Sequence, residues 1–224
     1  MSEEKTLLIL RLEGMLQSWG EDSKWDFRDS ADLPTKSGII GLLGCALGLE
    51  RGDPALAELG EAITIAVRAD RGGYRTTDFQ TVTGAPLRNA EGKPKTGGNT
   101  IISRRTYLQD ACFTVFIESD GALRARISEA LRAPCWTLYL GRKSCVPSCP
   151  VLIGVSAEYA SLEDAVRRNP AAERAVYPMV YEIEREAPAL ASHVRPDRRL
   201  AADRSFALRR VWRGAIREED HVSV

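Results

Sequence analysis

The chain has 224 residues, of which 44% are hydrophobic and 28% are charged. These values are typical of one large globular domain, or of a medium domain with a small appendage, and they argue against long disordered segments. Its 31 basic and 31 acidic residues cancel, which argues against a free-standing nucleic-acid-binding protein. No apolar run approaches a membrane span and the N-terminus lacks a signal-peptide layout, so we expect a cytoplasmic protein without a membrane partner.

Charge is distributed unevenly along the chain. Residues 71–110 contain seven basic and three acidic residues, and residues 195–217 contain eight arginines and two aspartates. Residues 158–186, in contrast, hold seven acids and four arginines. One interpretation is a subunit with one face on nucleic acid and others on protein neighbours. The alternative is that the arginine-rich stretches pair with the acidic ones inside the fold, and the sequence leaves both open.

The first predicted elements alternate between strand and helix. The apolar run at residues 6–12 predicts a buried strand, and residues 39–49 have the pattern of a buried helix that Thr35 or Ser37 caps. A short helix after residues 53–54 and a strand at 62–68 follow. Residues 111–117 predict a third strand, 122–131 an amphipathic helix, and 136–140 a fourth strand. This order matches the ferredoxin-like βαββαβ arrangement of RNA-recognition (RRM-like) domains.

A long insertion separates the second and third predicted strands. Residues 70–105 are rich in Gly, Thr, Lys, Arg and Asn and cannot build a core, so the insertion is more than a linker. After Pro147 and Pro150 the pattern changes to a helix start at Ser161 and strands at 176–183 and 205–216, the last with arginines at its outward positions. We predict an α+β protein with an RRM-like domain over residues 1–150, an insertion at about 71–107, and a small β-rich C-terminal domain over 151–224.

Four motifs occur in order along the first two-thirds of the chain. They are QSWG at residues 17–20, PTKSG at 34–38 leading into GLLG at 41–44, YLQDA at 107–111, and LYLGRKSC at 138–145. Through these motifs the chain resembles the CasD family of the RAMP superfamily, a subunit of the type I-E CRISPR Cascade complex.

The resemblance implies both a fold and a function. In that family the connection between the second and third strands is a long β-hairpin, the thumb, which would lie here at residues 75–107. The family member is a non-catalytic subunit that caps the 5′ handle of the CRISPR RNA. It joins the large and backbone subunits for antiviral DNA targeting, and it reaches target DNA only indirectly or by minor contacts.

The candidate RNA-binding residues are aromatic, cationic or hydroxyl-bearing. Residues 19–28 interleave aromatic and cationic side chains, which suits unpaired bases and phosphates, although we expect Trp19 itself in the core. The helix start at 34–37 directs backbone N–H groups toward an anion. The resemblance assigns the loop at 141–144 to the 5′ handle, whereas an ordinary solvated turn is the alternative. The predicted set is Lys24, Trp25, Arg28, Thr35, Lys36, Ser37, Arg104, Arg105, Tyr107, Arg142, Lys143 and Ser144.

A competing hypothesis is a metal-independent endoribonuclease that processes CRISPR repeat RNA. That chemistry needs an acid–base pair near a 2′-hydroxyl, for which Tyr74, Tyr107, a lysine or the loop residue His193 are candidates. The cysteines at positions 135, 145 and 149 lack the paired short spacings of a structural zinc site, and residues 38–44 lack the lysine of a phosphate-binding loop. We therefore predict no catalytic residue, no metal and no cofactor.

Overall fold

The computed structural model describes residues 6–21, 26–84, 87–88, 93–94, 100–199 and 206–221. Two short 3₁₀ turns lie at Pro188–Leu190 and Glu218–Asp220. The strands and helices, in chain order, are β1 (Leu7–Glu13), β2 (Leu16–Gln17), β3 (Phe27–Arg28), α1 (Lys36–Leu47), α2 (Ala55–Glu61), β4 (Thr64–Arg71), β5 (Tyr74–Thr83), β6 (Thr100–Gln109), β7 (Cys112–Glu118), α3 (Gly121–Arg132), β8 (Leu152–Ser156), α4 (Leu162–Arg168), β9 (Met179–Glu184), β10 (His193–Arg199) and β11 (Phe206–Ile216).

Seven strands form one antiparallel sheet in the order β10-β11-β9-β4-β7-β1-β8. Successive residues of a strand point to opposite faces, so β1 serves two cores. Leu8 and Leu10 pack with residues of α1 and α3, whereas Leu7 and Ile9 pack with residues of α4. The sheet is thus covered by helices on both faces, and the predicted α+β class is confirmed.

Helix α1 has a capping residue at each end. The Thr35 hydroxyl accepts a hydrogen bond from the Gly38 N–H at 3.1 Å, as the sequence predicted for one of two capping candidates. At the other end Gly48 adopts a left-handed conformation with φ of 73°, which glycine tolerates without a side-chain penalty. The helix therefore begins and ends where local chemistry directs it.

A smaller sheet is built around β6. Strand β5 pairs antiparallel with β6 over ten residues, from Tyr74 opposite Gln109 to Thr83 opposite Thr100. On the other edge of β6, β3 pairs in parallel and β2 pairs antiparallel. The basic insertion therefore contains a long β-hairpin rather than only a loop.

Several sequence-based expectations about the last half of the chain are wrong. Residues 136–140 form no strand; the backbone N–H groups of Cys135 and Trp136 instead bond to the end of α1. Strand β1 pairs with β7 on one side and with β8 on the other. Arg209 of β11 points inward rather than outward, and His193 begins β10 rather than lying in a loop.

The seven-stranded sheet continues across residue 150, because β8, β9, β10 and β11 all join it. The division into domains at that residue stays a prediction. None of the described helices is long and apolar enough to cross a membrane.

Candidate nucleic-acid interface

The two arginines of β6 lie on opposite faces of the smaller sheet, because they are neighbours in a strand. Arg104 is exposed. Arg105 is half-buried, and its Nε donates to the Ser103 hydroxyl at 3.3 Å. Neither makes an ion pair with a described residue. Among the described residues, the hairpin therefore carries a guanidinium without an ion-pair partner on each face.

One face carries a row of two aromatic rings with a guanidinium between them. Arg104 is opposite Phe27 of β3 and also opposite Phe79 of β5. Phe27 is 45% exposed and Phe79 is 56% exposed, and the guanidinium carbon of Arg104 lies 5.9 Å from the Phe79 ring centre. Flat exposed groups of this kind stack on unpaired bases.

The other face places two further arginines side by side. Arg28 of β3 is directly opposite Arg105 of β6, and Asp78 of β5 lies on the other side of Arg105. Like charges opposite one another on adjacent strands repel. A phosphate group at this position would relieve the repulsion between the two arginines.

Arg142 fastens the basic loop at residues 141–144 to this sheet. Its guanidinium donates to the Thr106 carbonyl at 3.0 Å, to the Arg28 carbonyl at 3.0 Å and to the Asp29 carbonyl at 3.2 Å. It also lies 4.6 Å from the ring centre of the buried Tyr107. These contacts engage Arg142 within the chain, so it positions the loop, and the exposed Lys143 and Ser144 that follow are left to face a ligand.

Gly141 sets the path of that loop. Its φ is 90°, and a Cβ atom at this position would lie 1.6 Å from the Ser18 carbonyl oxygen. Ser18 in turn donates its N–H to the Leu140 carbonyl at 3.0 Å. Only glycine fits here, which holds the basic loop against the QSWG motif.

At the start of helix α1, the backbone N–H and the side chain of Lys36 both bond to other residues of the chain. The backbone N–H of Lys36 donates to an Asp197 carboxylate oxygen at 2.8 Å. The Lys36 ammonium donates to Glu184 at 2.7 Å and to the Ile63 carbonyl at 2.9 Å, and the side chain is 4% exposed. Burial lowers the pKa of Lys36, while Glu184 opposes the shift. The expectation that the Lys36 N–H faces an external anion is therefore wrong.

The predicted residues that the structure describes fall into two groups in space. Thr35 and Lys36 are buried at the start of α1, and Ser37 lies beside them in a cleft on the helix surface. Lys24 and Trp25 lie outside the described residues. The smaller sheet and the loop fastened to it bring together Arg28, Arg104, Arg105, Tyr107, Arg142, Lys143 and Ser144.

Three buried residues, Trp19, Arg195 and Arg209, decide between alternatives that the sequence left open. Trp19 is 1% exposed and donates from Nε1 to Gln17 at 3.2 Å, which confirms its predicted core position. In the C-terminal strands, Arg195 bonds to Glu182 at 2.8 Å and Arg209 to Asp197 at 2.7 Å. The alternative of internal pairing therefore holds for these arginines.

No hydrogen bond among the described residues joins two of the nuclease candidates Tyr74, Tyr107 and His193. Tyr107 is buried beside Arg142, Tyr74 is exposed on β5, and Nδ1 of His193 lies 2.9 Å from the Ser192 hydroxyl. In the part of the chain that the structure describes, no group of three or more His, Cys, Asp or Glu side chains is placed to hold a metal ion.

Comparison with known proteins adds the family to this geometry. A family model described as CRISPR-associated protein (Cas_Cas5) matches residues 7–215. The chain belongs to the Cas5 family. A relative, the CRISPR system Cascade subunit CasD of Escherichia coli (strain K12), is 37% identical over 164 residues, which are 67% of this chain and 71% of the relative. The resemblance to the CasD family is therefore confirmed.

Solved structures of similar chains agree with the Cas5 assignment. A chain of a CRISPR RNA-guided surveillance complex superposes with a TM-score of 0.76 at 30% identity, over 96% of this chain and 92% of that chain. A crystal structure of a Cas protein gives a TM-score of 0.72 at 31% identity, over 96% and 97% of the two chains. The likeness extends over nearly the whole length, including the C-terminal strands.

Sequence reasoning included Phe27 in the aromatic and cationic stretch at residues 19–28 but missed Phe79 of this Cas5 surface. Phe27 and Phe79 lie 52 positions apart in the chain and meet only because both strands pair with β6 at Arg104. A signal was present in the insertion, since Phe79 is an isolated aromatic residue among polar ones. Its partner was not deducible without the register.

Proposed function

We propose that this Cas5 chain is a subunit of a type I-E Cascade complex and holds the 5′ handle of the CRISPR RNA without cutting it. The observation that carries the proposal is the exposed row of Phe27, Arg104 and Phe79, beside a basic loop that Arg142 fastens to the same sheet. The Cascade subunit name of the E. coli relative supports the assignment to a complex.

The proposed fold assignment refines the α+β class. The strand order β4-β7-β1-β8, with α1 after β1 and α3 after β7, fits the ferredoxin-like arrangement of an RRM-like domain. The β5–β6 hairpin is then the thumb. Its position between the second and third strands of that arrangement, and its ten paired residues, support this assignment.

The proposed mechanism is electrostatic and geometric. A hairpin wedged into a single RNA strand presents one face to the nucleotides on each side. Bases stack on Phe27, Arg104 and Phe79, each contributing about 1–3 kcal/mol. Phosphates lie near the opposed Arg28 and Arg105 and near the exposed loop at 143–144, so retention of RNA weakens as salt concentration rises.

The partners follow from the same assignment. We propose that the chain joins the large and backbone subunits in the cytoplasm and reaches target DNA only indirectly or by minor contacts. Strand β11 exposes Phe206, Leu208 and Trp212. Exposed apolar side chains on neighbouring positions are typical of protein interaction surfaces and support contact with other subunits.

The test is RNA retention by the assembled complex. We expect Arg104→Ala to weaken retention of the CRISPR RNA by about 5- to 100-fold. The matched control is Arg126→Ala, an exposed arginine of α3 away from the hairpin, which should leave retention unchanged. Equal retention by wild type and Arg104→Ala would remove this row from the RNA interface.

A second assay addresses the nuclease alternative. The purified chain is incubated with end-labelled repeat RNA in EDTA and resolved on native and denaturing gels. We expect intact RNA, because no hydrogen bond among the described residues pairs two of the acid–base candidates. Cutting at one position that survives EDTA would refute the non-catalytic role and direct attention to Tyr74, Tyr107 and His193.

A further inference from the structure

A cleft of about 460 Å³ lies along the outer side of helix α1, apart from the hairpin. Its floor is the face of α1 that contains Ser37, Gly38 and Gly41, and its wall is the segment with Trp136 and Tyr139. The volume lies within the range of small-molecule and cofactor sites. The cleft reaches Gly141, where the basic loop of the proposed RNA surface begins.

The wall of the cleft is held in place by backbone hydrogen bonds. Cys135 donates its N–H to the Ala46 carbonyl at 2.9 Å, and Trp136 donates its N–H to the Cys45 carbonyl at 3.3 Å. The Cys45 thiol also bonds to the Thr137 carbonyl at 3.3 Å. The Trp136 backbone is fixed, yet its side chain is 44% exposed.

The three glycines of α1 differ in how much space a Cβ atom would find at each position. A Cβ at Gly38 would meet the Trp19 ring at 2.8 Å, and a Cβ at Gly44 would meet Leu56 at 2.4 Å, so internal packing explains both. A Cβ at Gly41 would meet no described atom within 4 Å. Glycine inside a helix is unfavourable relative to alanine. The bare backbone at Gly41 keeps the floor of the cleft open to a close approach.

The lining has the chemistry of a nucleotide site. Two aromatic residues form one side, Arg51 lies at the rim, and the residues that line the cleft include no carboxylate. Leu42, Leu49 and Leu56 complete the lining. The exposed Lys143 follows two residues after Gly141, which lines the cleft. An aromatic wall with cations and no acids favours a flat heterocycle joined to an anion over an apolar protein side chain.

We propose that this cleft binds one unpaired nucleotide of the RNA, with its base against Trp136 and its phosphate toward Lys143 and Arg51. The inference rests on the proposed function. It identifies a second contact site for the same RNA, on the face of the main sheet that α1 and α3 cover. The RNA would run from the hairpin across the basic loop at 141–144 and turn one base into the cleft.

The test uses the assembled ribonucleoprotein complex and guide RNAs with 2-aminopurine at single positions of the 5′ handle. Stacking on an indole quenches the fluorescence of this base. We expect one position to be quenched in the wild-type complex, and the quenching to be lost in Trp136→Ala and in Gly41→Met, which fills the cleft. RNA affinity should fall by about 5- to 100-fold in Trp136→Ala, and Trp136→Phe should retain most of it.

Two controls separate the cleft from folding. Methionine is a good helix former, so Gly41→Met should not lower the melting temperature. Gly154→Met places the same side chain at a β8 glycine that is equally open and outside the cleft, and it should leave the quenching unchanged.

The outcomes distinguish this inference from the proposed function. RNA retained with unchanged quenching in Trp136→Ala and Gly41→Met would overturn the cleft alone. Loss of a protein subunit with quenching intact would also overturn it, in favour of a protein side chain as occupant. Failure of the wild-type complex to retain RNA would overturn the proposed function itself.

Discussion

The β5–β6 hairpin and the C-terminal strands are both rich in arginine, but they use it in opposite ways. In the C-terminal strands, Arg195 and Arg209 are buried and each bonds to a carboxylate. On the hairpin, Arg104 is exposed and lies near an aromatic ring. Residues 195–217 hold eight arginines and residues 71–110 hold five. The difference lies in the neighbours, because Arg209 bonds to Asp197, whereas the residues opposite Arg104 are Phe27 and Phe79. Arginine-rich sequence is therefore not by itself a nucleic-acid footprint.

The buried arginines connect elements that are distant in the chain. Asp197 of β10 accepts from Arg209 of β11 and from the Lys36 N–H at the start of α1. Arg195 bonds to Glu182 of β9 and to Glu21. Because each group is desolvated, removing one partner leaves another charge buried and unpaired. This network ties the C-terminal strands to the first helix.

The largest expected effect is on Asp197. We expect Asp197→Ala to lower the free energy of unfolding by about 3–5 kcal/mol, because Arg209 would remain buried without its partner. Denaturant unfolding followed by circular dichroism measures the change. A loss below about 1 kcal/mol would mean that the network is solvated and that the contrast between the two regions is overstated.

Acid should weaken the same network. Burial alone would raise the pKa of Asp197, but hydrogen bonds and charge from Arg209 hold that pKa below its usual value. The stabilisation is therefore complete above the unfolded-state pKa, near 4, and is lost as pH falls through the lower folded-state pKa. We expect unfolding free energy to drop more steeply below about pH 4 in wild type than in Asp197→Asn. Parallel pH profiles would contradict this assignment.

Arg142 tests the boundary between the two uses of arginine. It lies in the proposed RNA surface, yet its guanidinium bonds to three backbone carbonyls. We expect Arg142→Ala to lower the free energy of unfolding by about 1–3 kcal/mol. Arg142→Lys should not restore this stability, because an ammonium lacks the planar guanidinium group that bonds to all three backbone carbonyls. Full stability of Arg142→Lys would show that charge alone suffices.

Phe79 should show the reverse profile. We expect Phe79→Ala to change the free energy of unfolding by less than about 0.5 kcal/mol, since the side chain is exposed. Its effect on RNA binding should be about 1–3 kcal/mol, measured as retention of RNA by the complex. Ile153→Ala, at an exposed apolar position of β8, is the control. A stability loss without an RNA effect would assign Phe79 to folding.

The smallest effect is expected for the exposed pair between Arg75 and Asp32. The two side chains are joined at 2.6 Å at the base of the hairpin, but both are more than half exposed. We expect Asp32→Ala to change the free energy of unfolding by about 0–1 kcal/mol. A larger loss, measured by the same denaturant titration, would place this pair with the buried network.

Local chemistry determined much of the fold from the sequence. Apolar periodicity located β1, α1, β4, β7 and α3 to within a few residues, because a buried face imposes its repeat on the chain. Thr35 and Ser161 were found as caps because a hydroxyl satisfies N–H groups within three residues. The family motifs added the position of the hairpin and of the basic loop.

Only the tertiary structure decided which side chains are available to a ligand. Lys36 was expected at a phosphate, but its ammonium forms an ion pair with Glu184, which lies 148 positions away in the chain. The row of Phe27, Arg104 and Phe79 depends on the register of three strands. Residues 136–140 were predicted as a strand but form none, and the strands beside β1 are β7 and β8. Periodicity reports which face of an element is buried, whereas the identity of the neighbour is set by contacts between residues that the sequence keeps far apart.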